Sequence, residues 1–446
     1  MSYLTLPFLS LLLISGAQAA EPAHSHHSPA PKAETSVSPK PEEAKSEVLA
    51  YSAARCSDME VWDYGMSMCT PFPMAGMPMR MAMLHGNAFF NQTFASGPRG
   101  RSAFTIPNMS MLDLGTSLGD RHYFNVDLML TAEKWTYPSG GYPELLQIGE
   151  ENRNHRPYVD AQHPHSSPLM GLTFSDTIAF GSGRDHVKVF FAPRGESTDG
   201  PIAFMHRPTG TVNPDAPLGH HIGQDVGHIS STVAGASLRT GDTTLEASTF
   251  HGEEPSPDKV DLPIGMPNSY SVRVIHEFFP KIFAMASAAY VKEPEAHGSG
   301  PDHVWRYSAS LYRQKIPSGN GWILHDAFIW GMIKNYDHVS TLHSFGKEFL
   351  VQRGRANLWG RLELLQRTPE QLALTGVADL HSPRWVAALT LGYTHRLTNW
   401  DSGSLGLGGS YTQDLLPRSY RHDYSGNPFS GKIFLQLSGM KMWDLL

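Results

Sequence analysis

Two sets of side chains in this chain have the types and spacing to do chemistry. The first is thioether. Eight of the 19 methionines fall between Met59 and Met83, among them Met66, Met68, Met77, Met79 and Met81, with His85 just beyond. Thioether sulfur is soft and suits Cu(I), and Met-x-Met spacing puts two sulfurs within reach of one ion. The competing reading is packing, because methionine fills irregular gaps and every second residue from 77 to 83 is also one face of a strand. The second set is imidazole and carboxylate: His163-Pro164-His165, Met205-His206, His220-His221, Asp225 and His228. Neutral imidazole and carboxylate are the ligands that Cu(II) and Zn(II) take. No helix-borne zinc pair of the His-Glu-x-x-His kind is present. On an extended chain the adjacent His220 and His221 point opposite ways, so one is expected to bind and the other to be structural. The alternative for this set is a polar plug in which His, Asp and Arg satisfy one another.

Other chemistries find little support. Gly115-Thr116-Ser117-Leu118-Gly119 matches a hydrolase elbow in letters, but an elbow needs a helix after it, and here a second strand follows. His251-Gly252-Glu253-Glu254 lacks the second zincin histidine, and the glycine-rich stretch 403–409 has no Lys-Ser/Thr behind it. No enzyme is expected. Two cysteines exclude an iron–sulfur or all-cysteine zinc site. A net charge of −7 excludes an electrostatic case for nucleic acid. The soft donors point to copper or another heavy metal.

The elements that must position these residues begin with an apolar run, Leu4 to Ala19, ending in Ala17-Gln18-Ala19. This reads as a signal peptide over 1–19 and predicts export. Residues 20–50 carry Pro, Lys, Glu and Ser and read as a disordered linker; His24, His26 and His27 lie in it and offer only a weak metal site. Residues 51–84 form the Met-rich segment. Cys56 and Cys69 flank twelve residues there, and in an oxidising compartment they are expected to pair.

From about residue 81 onward the hydrophobic period is two, and the barrel is expected over 85–446. Trp385, Ala387, Leu389, Leu391 and Tyr393 alternate with Val386, Ala388, Thr390, Gly392 and Thr394; Leu358, Leu362 and Leu364 face away from Trp359, Arg361 and Glu363. Similar runs separated by turn residues give about fourteen strands, within about two. The polar faces carry Arg306, Arg361, Glu363, Lys432 and Gln436. These are costly inside a sandwich and acceptable in a wet lumen, so the expected fold is an all-β antiparallel transmembrane barrel of about 12–16 strands. A soluble periplasmic metal-binding β protein is the alternative, and an adhesin-like barrel without transport a third. Residues 133–228, interrupted by prolines, read as a long loop insert. The expected partners are outer-membrane lipid and a small solute or metal ion.

The run His163-Pro164-His165, Gly195-Glu196, Gly200-Pro201, Phe204-Met205-His206-Arg207, Asn213-Pro214, Ala216 to His221, Asp225 and His228-Ile229-Ser230, with Trp62-Asp63 and Gly65 to Cys69, resembles an uncharacterised family of bacterial outer-membrane barrels associated with copper and heavy-metal resistance. The resemblance implies an outer-membrane location and a role with metal. The family usually has Asp after His-Pro-His, where this chain has Ser166.

Overall fold

The computed structural model describes residues 56, 60–72, 79–152, 154, 156–181, 184–295, 300–318, 321–336 and 338–445. A small hairpin comes first, β1 (Glu60–Asp63) with β2 (Met68–Pro71). The wall starts with β3 (Arg80–Ala95), β4 (Ala103–Thr105), β5 (Asn108–Leu118) and β6 (His122–Leu130). A second hairpin, β7 (Tyr142–Glu151) with β8 (Pro157–Gln162), stands apart from the wall. The wall resumes with β9 (Leu169–Ala179), β10 (His186–Gly195), β11 (Ser230–Thr240), β12 (Thr243–His251), β13 (Ser269–Phe279), β14 (Ile282–Lys292) and β15 (His303–Ser318). It is completed by β16 (Trp322–Tyr336), β17 (Val339–Arg353), β18 (Ala356–Arg367), β19 (Arg384–Trp400), β20 (Gly403–Leu415) and β21 (Phe429–Asp444).

All neighbours in the wall are antiparallel, and the ring closes where β21 pairs with β3, from Ser430↔Ala95 to Asp444↔Met81. The short β4 and the longer β5 both pair with β3 and occupy one lane. The barrel therefore has sixteen strands, the upper end of the range read from the sequence. Gly115 to Gly119 ends β5 at the turn into β6, and Gly119 has φ +67°, which a residue without Cβ adopts freely. It is a hairpin turn, as its surroundings in sequence suggested.

The exterior explains the alternation. Leu391, Leu407, Leu435, Val272, Leu362 and Phe328 project outward and are exposed, while their strand neighbours Thr390, Gln436 and Arg361 are buried inside. An apolar belt of this extent is not tolerated against water; hydrocarbon covers it, and the fold is that of a transmembrane barrel. Exposed aromatics ring both edges of the belt, Trp305, Trp385 and Tyr270 near one end and Trp322, Trp400 and Trp443 near the other, where amphipathic rings sit at headgroup level. A soluble β protein, the alternative drawn from the sequence, is excluded by this exterior.

The two ends differ. β3 begins and β21 finishes at the end that carries the tight connections, such as β5–β6, β11–β12, β17–β18 and β19–β20. The opposite end carries the long connections 131–168, 196–229, 252–268, 368–383 and 416–428.

One expectation is corrected. Residues 133–228 are not a single insert, because β9 and β10 within them are wall strands that turn Phe174, Val189 and Phe191 outward. The prolines flank these strands and mask their alternation. What folds into the lumen is two segments, 131–168 and 196–229. Wall charges meet them there. Arg361 donates to the carbonyls of Asp215 (2.9 Å) and Ala216 (2.6 Å), Glu363 accepts from Leu218 N (2.6 Å), and Lys432 pairs with Asp215. Backbone groups removed from water are satisfied by side chains the strands point inward.

Candidate functional site: a methionine wall and a histidine cluster in the lumen

The strand register builds the first part of the site. His85 on β3 lies opposite Met111 on β5, and Met111 lies opposite Met129 on β6. One row toward the turn end, Met83, Asp113 and Asp127 are opposed in the same way. Directly opposed residues hold their Cβ atoms about 4.5–5.5 Å apart, so register alone makes a continuous thioether and imidazole strip on the inner wall. Met170 on β9 and Met205 pack against Met111 and Met129. His85 Nε2 is 3.6 Å from Asp113 Oδ2.

The β1–β2 hairpin brings Met66 and Met68 to this strip from the turn end. It is closed by the Cys56–Cys69 disulfide, as the sequence predicted. Asp63 Oδ1 accepts from Met66 N at 2.9 Å and sets its tight turn. The hairpin docks by Tyr64 Oη donating to Glu277 (2.9 Å) and by Trp62 lying under the ammonium groups of Lys281 and Lys315. Two cavities of about 250 and 240 Å³ flank it, and both are lined by Met66, Met68 and His206. The larger also meets His85, Met109, Met205 and Met440; the smaller meets Met81, Met83, Met111 and Met129.

His206 is buried, 3.1 Å from Glu196 Oε1. Burial lowers its pKa, but the Glu196 carboxylate outweighs burial and the net shift is upward.

The second part lies toward the loop end, where the two lumenal segments meet. The rings of His163, His165, His220, His221 and His228 form one cluster, with neighbouring centroids 4.6–6.1 Å apart. His220 and His221 do not point opposite ways as expected from an extended chain. They sit in a helical turn, His220–Gln224, which puts their rings 4.6 Å apart in the same cluster. That turn seats on the wall through a close approach: a Cβ on Gly331 would fall 2.0 Å from the Ile222 carbonyl oxygen.

Carboxylates surround the cluster. His165 Nδ1 is 2.9 Å from Glu133 Oε2, His220 Nδ1 is 3.3 Å from Asp225 Oδ2, His221 Nδ1 is 3.5 Å from Glu150 Oε1, and His163 Nε2 is 3.8 Å from Glu254 Oε1. His163 Nδ1 accepts from Glu150 N at 3.2 Å. Burial, reinforced by neighbouring imidazoles, holds the pKa of His163 and His221 well below the usual histidine value; burial also pushes His228 down, to about 3. For His165 burial acts downward but the Glu133 carboxylate prevails and the value rises. For Asp225 burial acts upward, and His228, His220 and Arg207 together prevail and lower it. The lowered values keep His163, His221 and His228 neutral, the state in which an imidazole ligates. Ser166, where the resembled family carries Asp, donates to the Pro257 carbonyl at 2.5 Å, a bond an ionised carboxylate cannot make.

Of the residues singled out from the sequence, the structure thus groups His163, His165, His220, His221, Asp225 and His228 in one place. It groups Met66, Met68, Met81, His85, Met205 and His206 in another. Met79 belongs to neither: its backbone pairs with Ser117 just before β3. Met77, His24, His26 and His27 lie outside the described residues. Sequence reading missed Met109, Met111, Met129, Met170, Asp113 and Asp127. The available clue was that Met109 and Met111 share a strand face with Asp113, and Met129 with Asn125 and Asp127.

No protein-family model and no curated protein matches the chain. Among solved structures it is similar to the anion-selective porin from Comamonas acidovorans, at 11% identity, TM-score 0.48, over 81% of this chain and 99% of that one. It is also similar to Salmonella typhi OmpF in complex with daunomycin, at 9% identity, TM-score 0.48, over 85% and 100%. Pseudomonas putida OprB matches at 11% identity, TM-score 0.46, over 82% and 94%. The likeness is one of barrel outline and bears on neither ligand nor activity.

Proposed function

We propose that the chain is an outer-membrane barrel that binds and passes a soft monovalent metal ion of the Cu(I) class along its methionine wall. The apolar belt, the aromatic girdles and the contrast between tight connections at one end and long loops at the other are the pattern of an outer-membrane barrel. The observation that carries the metal reading is the opposed row His85–Met111–Met129 beside two cavities that share Met66, Met68 and His206. Lumen faces are ordinarily polar. A wall of thioethers flanked by imidazole is instead a series of soft donors, and an ion moving between the cavities passes the three shared side chains.

The test is uptake of Ag(I), a stable stand-in for Cu(I), into vesicles holding the full-length barrel and an internal chelator. Wild type is expected to load the vesicles, and Met66→Leu/Met68→Leu/His206→Leu to slow loading at least tenfold. Equal rates would overturn the soft-metal reading. Recovery of the chain in the soluble periplasm, with no heat-dependent mobility shift in detergent, would overturn the location.

A further inference from the structure

The histidine cluster is chemically unlike the methionine wall: its donors are nitrogen and oxygen. Four of them converge. His228 Nδ1 donates to the Asp225 carbonyl at 2.9 Å, which leaves Nε2 with its lone pair free. His165 Nδ1 faces Glu133 Oε2 at 2.9 Å, so its Nε2 is the ring nitrogen turned toward His228. These two Nε2 atoms stand 3.0 Å apart. His220, Asp225 and His228 each place a ligand atom within 4.8 Å of the other two. His220 Nδ1 and Asp225 Oδ2 are deeply buried and face each other at 3.3 Å, with no other partner.

Two facing imidazole lone pairs repel unless a proton or a cation lies between them. Buried polar atoms held by one long contact alone are costly unless something else pairs them. We infer that His165, His220, His228 and Asp225 form a binding site for a divalent transition ion of the Cu(II) or Zn(II) type, near the loop end of the lumen. Each histidine of the His165–His228 pair has its other ring nitrogen fixed by an oxygen, the outer-shell arrangement that orients metal-bound imidazole. Metal–nitrogen bonds of about 2.0–2.1 Å across a 3.0 Å gap subtend about 90°, the tetragonal angle of Cu(II) with N and O ligands. Two carboxyl groups lie close by, Asp225 within the group and Glu133 one shell out, the donor set a dication takes. The inference does not depend on the soft-metal reading.

The experiment uses the full chain in detergent, in a background with His24, His26 and His27 replaced by Ala so that the linker contributes nothing. Cu(II) is added, excess is removed by desalting, and the retained ion is read by electron paramagnetic resonance. One equivalent with nitrogen hyperfine coupling is expected. His228→Ala and Asp225→Asn should each weaken Cu(II) binding at least tenfold by competition with a chelator, whereas His276→Ala, at an exposed histidine of β13, should leave it unchanged. Folded wild type that retains no Cu(II), or retains it without nitrogen coupling, overturns the inference and needs no variant to do so. Unchanged affinity in both His228→Ala and Asp225→Asn also overturns it. Failure of the methionine-wall reading would show separately, as vesicles that take up no Ag(I).

Discussion

His165 and His228 are 63 residues apart, yet their Nε2 atoms meet at 3.0 Å. Two wall strands, β9 and β10, separate the segments that carry them. The contact is therefore the clasp between two independent lumenal loops, and it depends on each loop being seated correctly on the wall.

That seating makes Gly331 sensitive. A methyl there would fall 2.0 Å from Ile222 O and 2.8 Å from Gly223 Cα, and Gly223 itself holds φ +75°. Gly331→Ala is expected to cost about 1–3 kcal/mol by overpacking and to displace the His220–Gln224 turn. The check is Cu(II) retention together with the urea midpoint in lipid; a variant unchanged in both would contradict the seating described.

The disulfide-closed hairpin occupies the turn end of the lumen. Replacing Cys56 and Cys69 with Ser removes a cross-link worth about 3 kcal/mol in the chain-entropy model for a loop of this size. Single-channel conductance is expected to rise and to fluctuate, because the docked hairpin then leaves its seat more often. Conductance equal to wild type under reducing and oxidising conditions would show that the hairpin does not obstruct the bore.

Leu391 lies near the middle of β19, 54% exposed on the outer face. Leu391→Arg is expected to destabilise the barrel in vesicles by about 2–4 kcal/mol, the depth-dependent cost of a charge at the midplane. Thr390→Arg, one residue earlier, points inward and should behave differently, obstructing the lumen. A cost near zero for Leu391→Arg would place this position outside hydrocarbon.

At the loop end, Asp423 accepts from Thr375 N (2.6 Å) and Thr375 Oγ1 (3.2 Å), which ties 368–383 to 416–428. Burial acts upward on this carboxyl, but those hydrogen bonds and His422 together outweigh it and lower its pKa below the usual value. A depressed folded pKa means the tie is fully present above about pH 3.9, the unfolded carboxyl value, and is lost as pH falls through the folded one. The protection of Thr375 N, taken against its intrinsic exchange rate, should fall below that range in wild type. In Asp423→Asn protection should be lower than wild type at neutral pH and unchanged by acid.

Much of the wall was legible because period-two alternation survives wherever one face meets hydrocarbon: the outward Leu391 and Leu407 and the inward Arg361, Glu363 and Lys432 are read directly. β9 shows no readable alternation and β10 only the short run 187–192, set within the insert, because proline-rich segments bracket them and two lumenal loops interrupt the rhythm. Both histidine motifs were visible as letters, but their convergence is tertiary. The helical turn that brings His220 and His221 to one side leaves little trace in a stretch so rich in Pro and Gly. The methionine wall was half visible. Met66 and Met68 stand out by density, whereas Met111 and Met129 become its centre only once register lays three strands side by side.

The closing seam joins the first and last strands of the wall, β3 and β21. A ring with that seam cannot be completed until the C-terminal strand has been delivered, and everything it encloses must by then be inside. Biogenesis thus has an order built into connectivity: the cross-linked hairpin and both inner loops are cargo loaded before the hoop is fastened. Chains truncated before Phe429 should accumulate as open sheets whose interior remains accessible to protease.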